Sequence, residues 1–82
     1  MKGGYFEFWN LDSEGGQIGT PVHLRTDEGV IMNSHHKCKQ SEIRHLCSIA
    51  RSAPGQPVEL THWTAGLIEW SARIYWRNGG ES

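Results

Sequence analysis

The chain has 82 residues, of which 37% are hydrophobic and 21% charged, and its formal net charge is −1 with neutral histidines. This length predicts one domain spanning residues 1–82, and this composition excludes a disordered chain. The near-neutral charge gives no general case for binding to nucleic acid or to an anionic membrane. The sequence contains neither the apolar stretch of a signal peptide nor that of a membrane span, so the expected location is the cytoplasm.

The first third of the chain predicts an antiparallel hairpin of two strands. Residues 5–11 read YFEFWNL and are rich in aromatic side chains, and strand alternation puts Tyr5 and Trp9 on one face. Residues 17–26 alternate between apolar and polar side chains, which is typical of a half-buried strand. Because Pro21 lacks a backbone N–H, this strand is expected at a sheet edge or to be bulged there. Its second face holds Gly19, Pro21, His23 and Arg25.

A short third strand and two helices are predicted to follow the hairpin. Residues 27–29 read as a turn, and the apolar run at residues 30–32 predicts the strand. A helix is predicted over residues 40–52, since its apolar residues recur on one side. A second helix is predicted over residues 62–77, with Thr61 as its N-cap. The predicted order is thus β-β-β-α-α, an α+β fold with both helices packed on one face of a small antiparallel sheet.

The predicted last helix carries two apolar sectors instead of the single stripe that a surface helix needs. One sector is the core face, and the second contains Ile68, Tyr75 and Trp76. Either both sectors are buried within the domain, or the second is an exposed patch for a partner protein or a second copy of the chain. The predicted partner-binding residues are Ile68, Ala72, Arg73, Tyr75, Trp76 and Arg77, and Tyr5 or Trp9 of the hairpin are further candidates.

Basic side chains near the first predicted helix indicate an alternative role in nucleic-acid binding. These residues are Lys37, Lys39, Arg44 and Arg51, and they could contact phosphates. A solvated basic face is the competing interpretation, and it agrees with the overall negative charge.

Histidine and cysteine residues cluster at residues 35–47, but their spacing is poor for a metal site. The residues His35, His36, Cys38, His45 and Cys47 include the ligand types that zinc uses. However, His45 and Cys47 lie two apart on a predicted helix and would point away from each other. We therefore expect no metal ion and no cofactor. No nucleotide-binding or metalloprotease motif is present, and no enzymatic activity is expected.

The sequence favours a non-enzymatic protein-binding module that acts by stoichiometric contact. In character, though not through any alignable stretch, it resembles the small, aromatic-rich inhibitors of bacteriophages and mobile elements, anti-CRISPR proteins among them. That resemblance implies an inhibitor that occludes the surface of a larger host complex. A homodimer through the last helix is a further expectation, because a small chain gains core by pairing.

Overall fold

The computed structural model describes residues 3–34, 40–65 and 68–79, and over 61–65 and 68–70 it describes the backbone alone. The elements within these residues, in chain order, are β1 (Tyr5–Leu11), β2 (Gln17–Leu24), α1 (Asp27–Asn33), α2 (Gln40–Ser52), β3 (Val58–Ala65) and β4 (Ile68–Arg77). The observed order is therefore β-β-α-α-β-β. The predicted α+β class and the antiparallel sheet are confirmed, whereas the predicted order of the elements is wrong.

The four strands form one antiparallel sheet in the spatial order β2-β1-β4-β3. Each half of the sheet is a hairpin, and the two hairpins join where β1 pairs with β4, so that Phe8 lies opposite Ile74. The helices connect the hairpins and pack on one face of the sheet, where they bury alternate residues of the strands. The other face is covered by no element among the described residues.

Residues 30–32 belong to helix α1 and not to a third strand. The Oγ1 atom of Thr26 accepts a hydrogen bond from the backbone N–H of Gly29, and Asp27 and Glu28 occupy the first turn. An N-cap and acidic residues beside the positive end of the helix dipole stabilise a helix at this point. Of the apolar residues that suggested a strand, Val30 and Ile31 form the buried side of this short helix, whereas Met32 is exposed.

The predicted last helix is a β-hairpin made of β3 and β4. Ala72 and Ile74 are buried, whereas the residues between and after them, Arg73 and Tyr75, are partly exposed. This period of two is the strand period, and placing it on a helical wheel divides its apolar residues into two sectors. The second apolar sector therefore arose from a strand pattern, and the helix-mediated homodimer loses its geometric basis.

The core lies between the helices and the covered face of the sheet. Its buried members are Phe6, Phe8, Val30, Ile31, Ile43, Cys47, Ala50, Leu60, Ala72 and Ile74. Trp76 packs against Phe6 with ring centroids 4.7 Å apart, and the guanidinium carbon of Arg51 lies 4.9 Å from the centroid of the Trp76 ring. A cation over the ring and an edge-on neighbour fix the position of Trp76 at the rim of the core.

Strand β2 lies at one edge of the sheet, as Pro21 predicted. Its register against β1 shifts between Phe8 and Asn10, and Gly19 in this stretch has a φ of +65°. An L-residue with a side chain rarely adopts that backbone, so the glycine permits the irregularity. An irregular edge strand with a proline is a poor template for pairing with another chain.

We expect Gly4→Ala to lower the free energy of unfolding by about 1–3 kcal/mol, the cost of overpacking. A Cβ atom at Gly4 would overlap the ring of Trp76 and lie 2.7 Å from the carbonyl oxygen of Arg77. Gly3→Ala is the matched control, because a Cβ there meets only the Nη1 atom of Arg25, at 4.0 Å. Urea denaturation followed by tryptophan fluorescence measures both variants, and equal stabilities would contradict the packing described for Trp76.

Candidate interaction surface on the open sheet face

The surface of interest is the open face, which we define as the side of the sheet that faces away from the helices. Its described members are Tyr5, Glu7, Trp9 and Leu11 of β1, Gln17 and His23 of β2, Glu59 of β3, and Arg73, Tyr75 and Arg77 of β4. Strand alternation places them together, since each lies between residues that point into the core. The face thus combines three aromatic rings with two arginines and two glutamates.

Arg73 crosslinks the strands on this face. Its Nε and Nη2 atoms donate to Oε2 of Glu59 at 3.0 and 2.7 Å, and its Nη1 atom donates to Oε1 of Gln17 at 3.1 Å. Nη2 also donates to the carbonyl oxygen of Gly15. The hydrogen bond to Glu59 raises the pKa of Arg73 above its usual value. One guanidinium therefore ties β4 to β3, to β2 and to the turn beside β2.

A second set of contacts surrounds Glu7. Its Oε1 atom accepts two hydrogen bonds from Arg77, at 3.2 and 2.8 Å, and its Oε2 atom lies 4.0 Å from Nε2 of His23. The guanidinium carbon of Arg77 stands 4.4 Å from the centroid of the Tyr75 ring, and the rings of His23 and Tyr5 are 4.6 Å apart. Rings and charges therefore alternate in one connected network.

The open face pairs its charged side chains and leaves its aromatic rings partly exposed. Arg73 and Arg77 are each paired with a glutamate, so the network is close to neutral and most of its polar groups are already hydrogen-bonded. The rings of Tyr5, Trp9 and Tyr75 are partly exposed, and Tyr5 and Tyr75 are held in place by His23, Arg77 and Gln17. Binding hot spots are enriched in tryptophan, tyrosine and arginine, which are the residue types found together here.

The structure does not bring the predicted partner-binding residues into one patch. Tyr75 and Trp76 are neighbours on β4, so they point to opposite faces of the sheet. Arg73 and Arg77 share the open face with Tyr75, whereas Ala72 is buried on the helix side. The side chain of Ile68 lies outside the described residues. What remains of the predicted set is Arg73, Tyr75 and Arg77.

The arginines of the predicted nucleic-acid surface are both engaged within the chain. Arg44 pairs with Asp27 at 3.0 Å and with Glu28 at 3.7 Å. The Arg51 guanidinium carbon lies 5.0 Å from the ring centroid of Phe6 and close to Trp76. Lys37 and Lys39, the other members of that set, lie outside the described residues. The structure therefore assembles no continuous basic face from the members it describes.

The histidine–cysteine cluster has two described members, and they lie apart. Cys47 is a buried free thiol on the core side of α2, whereas His45 is exposed on the same helix. His35, His36 and Cys38 lie outside the described residues. Within the part of the chain that the structure describes, no three histidine, cysteine or acidic side chains are grouped so that they could hold a metal ion.

Comparison with known proteins does not assign a role to this chain, so a role is assigned from the contacts of the open face. No family model, curated protein or solved structure matches this chain. None of the described helices has the length and apolar character that crossing a membrane requires.

Tyr5 and Trp9 of this surface are contact candidates from the sequence, whereas Glu7 and His23 were missed, although a signal for them existed. The alternation of residues 5–11 put Tyr5, Glu7 and Trp9 on one face, and the alternation of residues 17–26 put His23 and Arg25 on another. These two faces coincide once β1 pairs with β2. The missing information was the partner strand β4, which supplies Tyr75 and its flanking arginines from the far end of the chain.

Proposed function

We propose that this chain is a non-enzymatic protein-binding module that contacts one folded protein through its open face. The observation that carries the proposal is the set of partly exposed rings, Tyr5, Trp9 and Tyr75, beside a network of ion pairs that holds Tyr5 and Tyr75 in place. Binding orders side chains at an entropic cost, and side chains that are already held in place reduce that cost. The open face therefore offers a partner aromatic area that is largely pre-organised.

The charge pattern of the open face favours a protein partner over nucleic acid. Nucleic-acid binding requires several cations that are available to phosphates. On this face Arg73 is paired with Glu59, and Arg77 with Glu7. A near-neutral surface of rings and paired charges instead complements a protein surface of mixed polarity.

The proposed mode of action is occlusion in the cytoplasm, with the module covering the surface of a larger partner. This is the mode of the small phage and mobile-element inhibitors that the chain resembles in character. We assign the contact to a different protein and not to a second copy of the chain. The reason is that the residues that suggested a homodimer, Tyr75 and Trp76, lie on opposite faces of β4.

The proposal is tested by capture and reconstitution with matched variants. Tagged wild-type chain is compared with Tyr75→Asp on the open face and with Ile49→Asp on α2, where Ile49 is 43% exposed on the opposite side of the molecule. We expect wild type and Ile49→Asp to retain the same protein from cells that encode the chain, and Tyr75→Asp to lose it. The retained protein, once purified, is expected to re-form a complex of one copy each, as measured by light scattering.

Several outcomes would contradict this role. Equal capture by Tyr75→Asp, with its fold verified by circular dichroism, would remove the open face from the interaction. Loss of capture after nuclease treatment would indicate nucleic acid as the partner. A purified chain that is a dimer, and that Tyr75→Asp converts to a monomer, would identify a second copy as the occupant.

A further inference from the structure

A shallow cleft of about 220 Å³ opens at one end of the open face. Its lining residues are Gly3, Gly4, Tyr5, His23 and Arg25. Because Phe6 pairs with Leu24, continuing the register brings Tyr5 and Arg25 side by side, and Arg77 lies opposite Tyr5 on the next strand. The cleft is therefore continuous with the surface proposed to bind a protein.

Arg25 differs from the other arginines of the chain. Arg44, Arg73 and Arg77 are paired with carboxylates, and Arg51 lies over aromatic rings. Arg25 is exposed, and no ion pair or hydrogen bond joins its side chain to any other described residue. Its guanidinium thus brings to the cleft a positive charge that no described carboxylate compensates.

Glu7, the acidic residue of the open face beside the cleft, is already hydrogen-bonded within the chain. Glu7 accepts both of its short hydrogen bonds from Arg77, and His23 stands 4.0 Å from its other oxygen. With Arg25 and Arg77 against Glu7, the described residues at this end of the face carry an excess of positive charge. An anionic group is the complement of such a cleft.

We propose that the cleft seats a carboxylate side chain, an aspartate or glutamate, of the protein partner. This inference rests on the proposed function and names the chemistry that the partner must present. A guanidinium donates two parallel hydrogen bonds to a carboxylate, and the Tyr5 hydroxyl and the His23 imidazole are further donors at the cleft wall. Gly3 leaves room at the wall, since a Cβ there would approach only Arg25 Nη1, at 4.0 Å.

A carboxylate fits this cleft better than the phosphate backbone of a nucleic acid. One arginine without a described ion-pair partner is enough to recognise one carboxylate, whereas a nucleic-acid backbone needs a row of cations. Arg73 and Arg77, the other cations of the open face, are neutralised by Glu59 and Glu7, and the chain as a whole carries a net charge of −1.

The test uses the full chain and a defined small probe. An acetyl-aspartyl amide is titrated into isotope-labelled protein, with the acetyl-asparaginyl amide as the neutral control probe. We expect saturable chemical-shift changes at Gly3, Gly4, Tyr5 and His23 with the aspartyl probe alone. Arg25→Gln should weaken this binding by about tenfold or more, the usual effect of removing a charged hydrogen bond. Arg44→Gln is the matched control and should leave it unchanged.

The inference is overturned if the asparaginyl probe produces the same shifts, if no shift saturates, or if Arg25→Gln binds as wild type does. Tighter, Arg25-dependent binding of a short single-stranded oligonucleotide would also overturn it in favour of nucleic acid. In the reconstituted complex, a partner that binds Arg25→Gln and wild type equally removes the carboxylate contact but leaves the proposed function in place. If Arg25-dependent probe binding occurs and no complex forms, the proposed function fails and the carboxylate site stands.

Discussion

We expect Ile74→Ala to lose about 2–5 kcal/mol of its free energy of unfolding, a large share of the total for a small domain. Ile74 is fully buried in β4, a central strand of the sheet, and it lies between Phe8 on β1 and Val58 on β3. Truncation there leaves a cavity that the two flanking strands and α2 cannot easily fill. Urea denaturation at constant temperature, followed by circular dichroism, measures the loss.

The neighbouring positions turn this measurement into a test of the strand. Trp76→Ala should again be costly, because Trp76 packs on Phe6 at the rim of the core. Tyr75→Ala should cost about 1 kcal/mol or less, since its ring lies on the open face, outside the core. A strand therefore predicts the alternation large, small, large along residues 74–76. Similar losses for Tyr75→Ala and Trp76→Ala would indicate the helical arrangement, in which both belong to one sector.

The parts of the fold that were predictable from the sequence are those specified by local signals. Helix α2 carries a regular apolar stripe and ends at the Pro54-Gly55 pair, and its predicted bounds of 40–52 are those observed. The first hairpin combines clear alternation with a turn in which the Asp12 carboxylate accepts hydrogen bonds from the N–H groups of Glu14 and Gly16. Both features lie within short stretches of chain, residues 5–24 and 40–52, so no distant partner was needed to specify them.

The second hairpin was not predictable in the same way, because its decisive contacts are long-range. Strand β4 pairs with β1, and residues such as Tyr5 and Arg77 that face each other lie at opposite ends of the chain. Single-sequence periodicity over residues 62–77 contained enough apolar residues to fit both a helix and a strand. Tertiary pairing decided between them, as it commonly does for segments of weak intrinsic preference.

The sequence predicts which kinds of residue form the candidate site, but not which of those residues lie together on one face. Arg73, Tyr75 and Arg77 are contact candidates from the sequence, and they share one strand face, whereas a helix would put the two arginines beside the apolar sector of Tyr75. Their proposed companion Trp76 belongs to the rim of the core instead. The error follows from the helix assignment, because residues three and four apart share a helical face, whereas residues two apart share a strand face.

The stability of the domain is expected to fall as pH rises above about 9, by up to about 1.4 kcal/mol per pH unit from the Cys47 thiol alone. Burial, reinforced by the nearby negative charge of Asp27, raises the pKa of Cys47 from 9.0 to about 12. Below about pH 9 the thiol is protonated in both the folded and the unfolded chain, so it contributes no pH dependence. Between the two pKa values the unfolded chain releases this proton while the folded chain retains it, and unfolding is favoured.

Cys47→Ala isolates this contribution, because Tyr, Lys and the other cysteine titrate in both proteins and cancel in the comparison. At about pH 8 the variant should be the less stable of the two by about 1–2 kcal/mol, since it leaves a small cavity beneath α2. That deficit should shrink as pH rises and reverse by about pH 11, where retaining the buried thiol proton destabilises only the wild type. Urea denaturation under reducing conditions gives both curves. Parallel curves would mean that the thiol is not shielded in the folded state, and the packing of α2 against the sheet would then be looser than described.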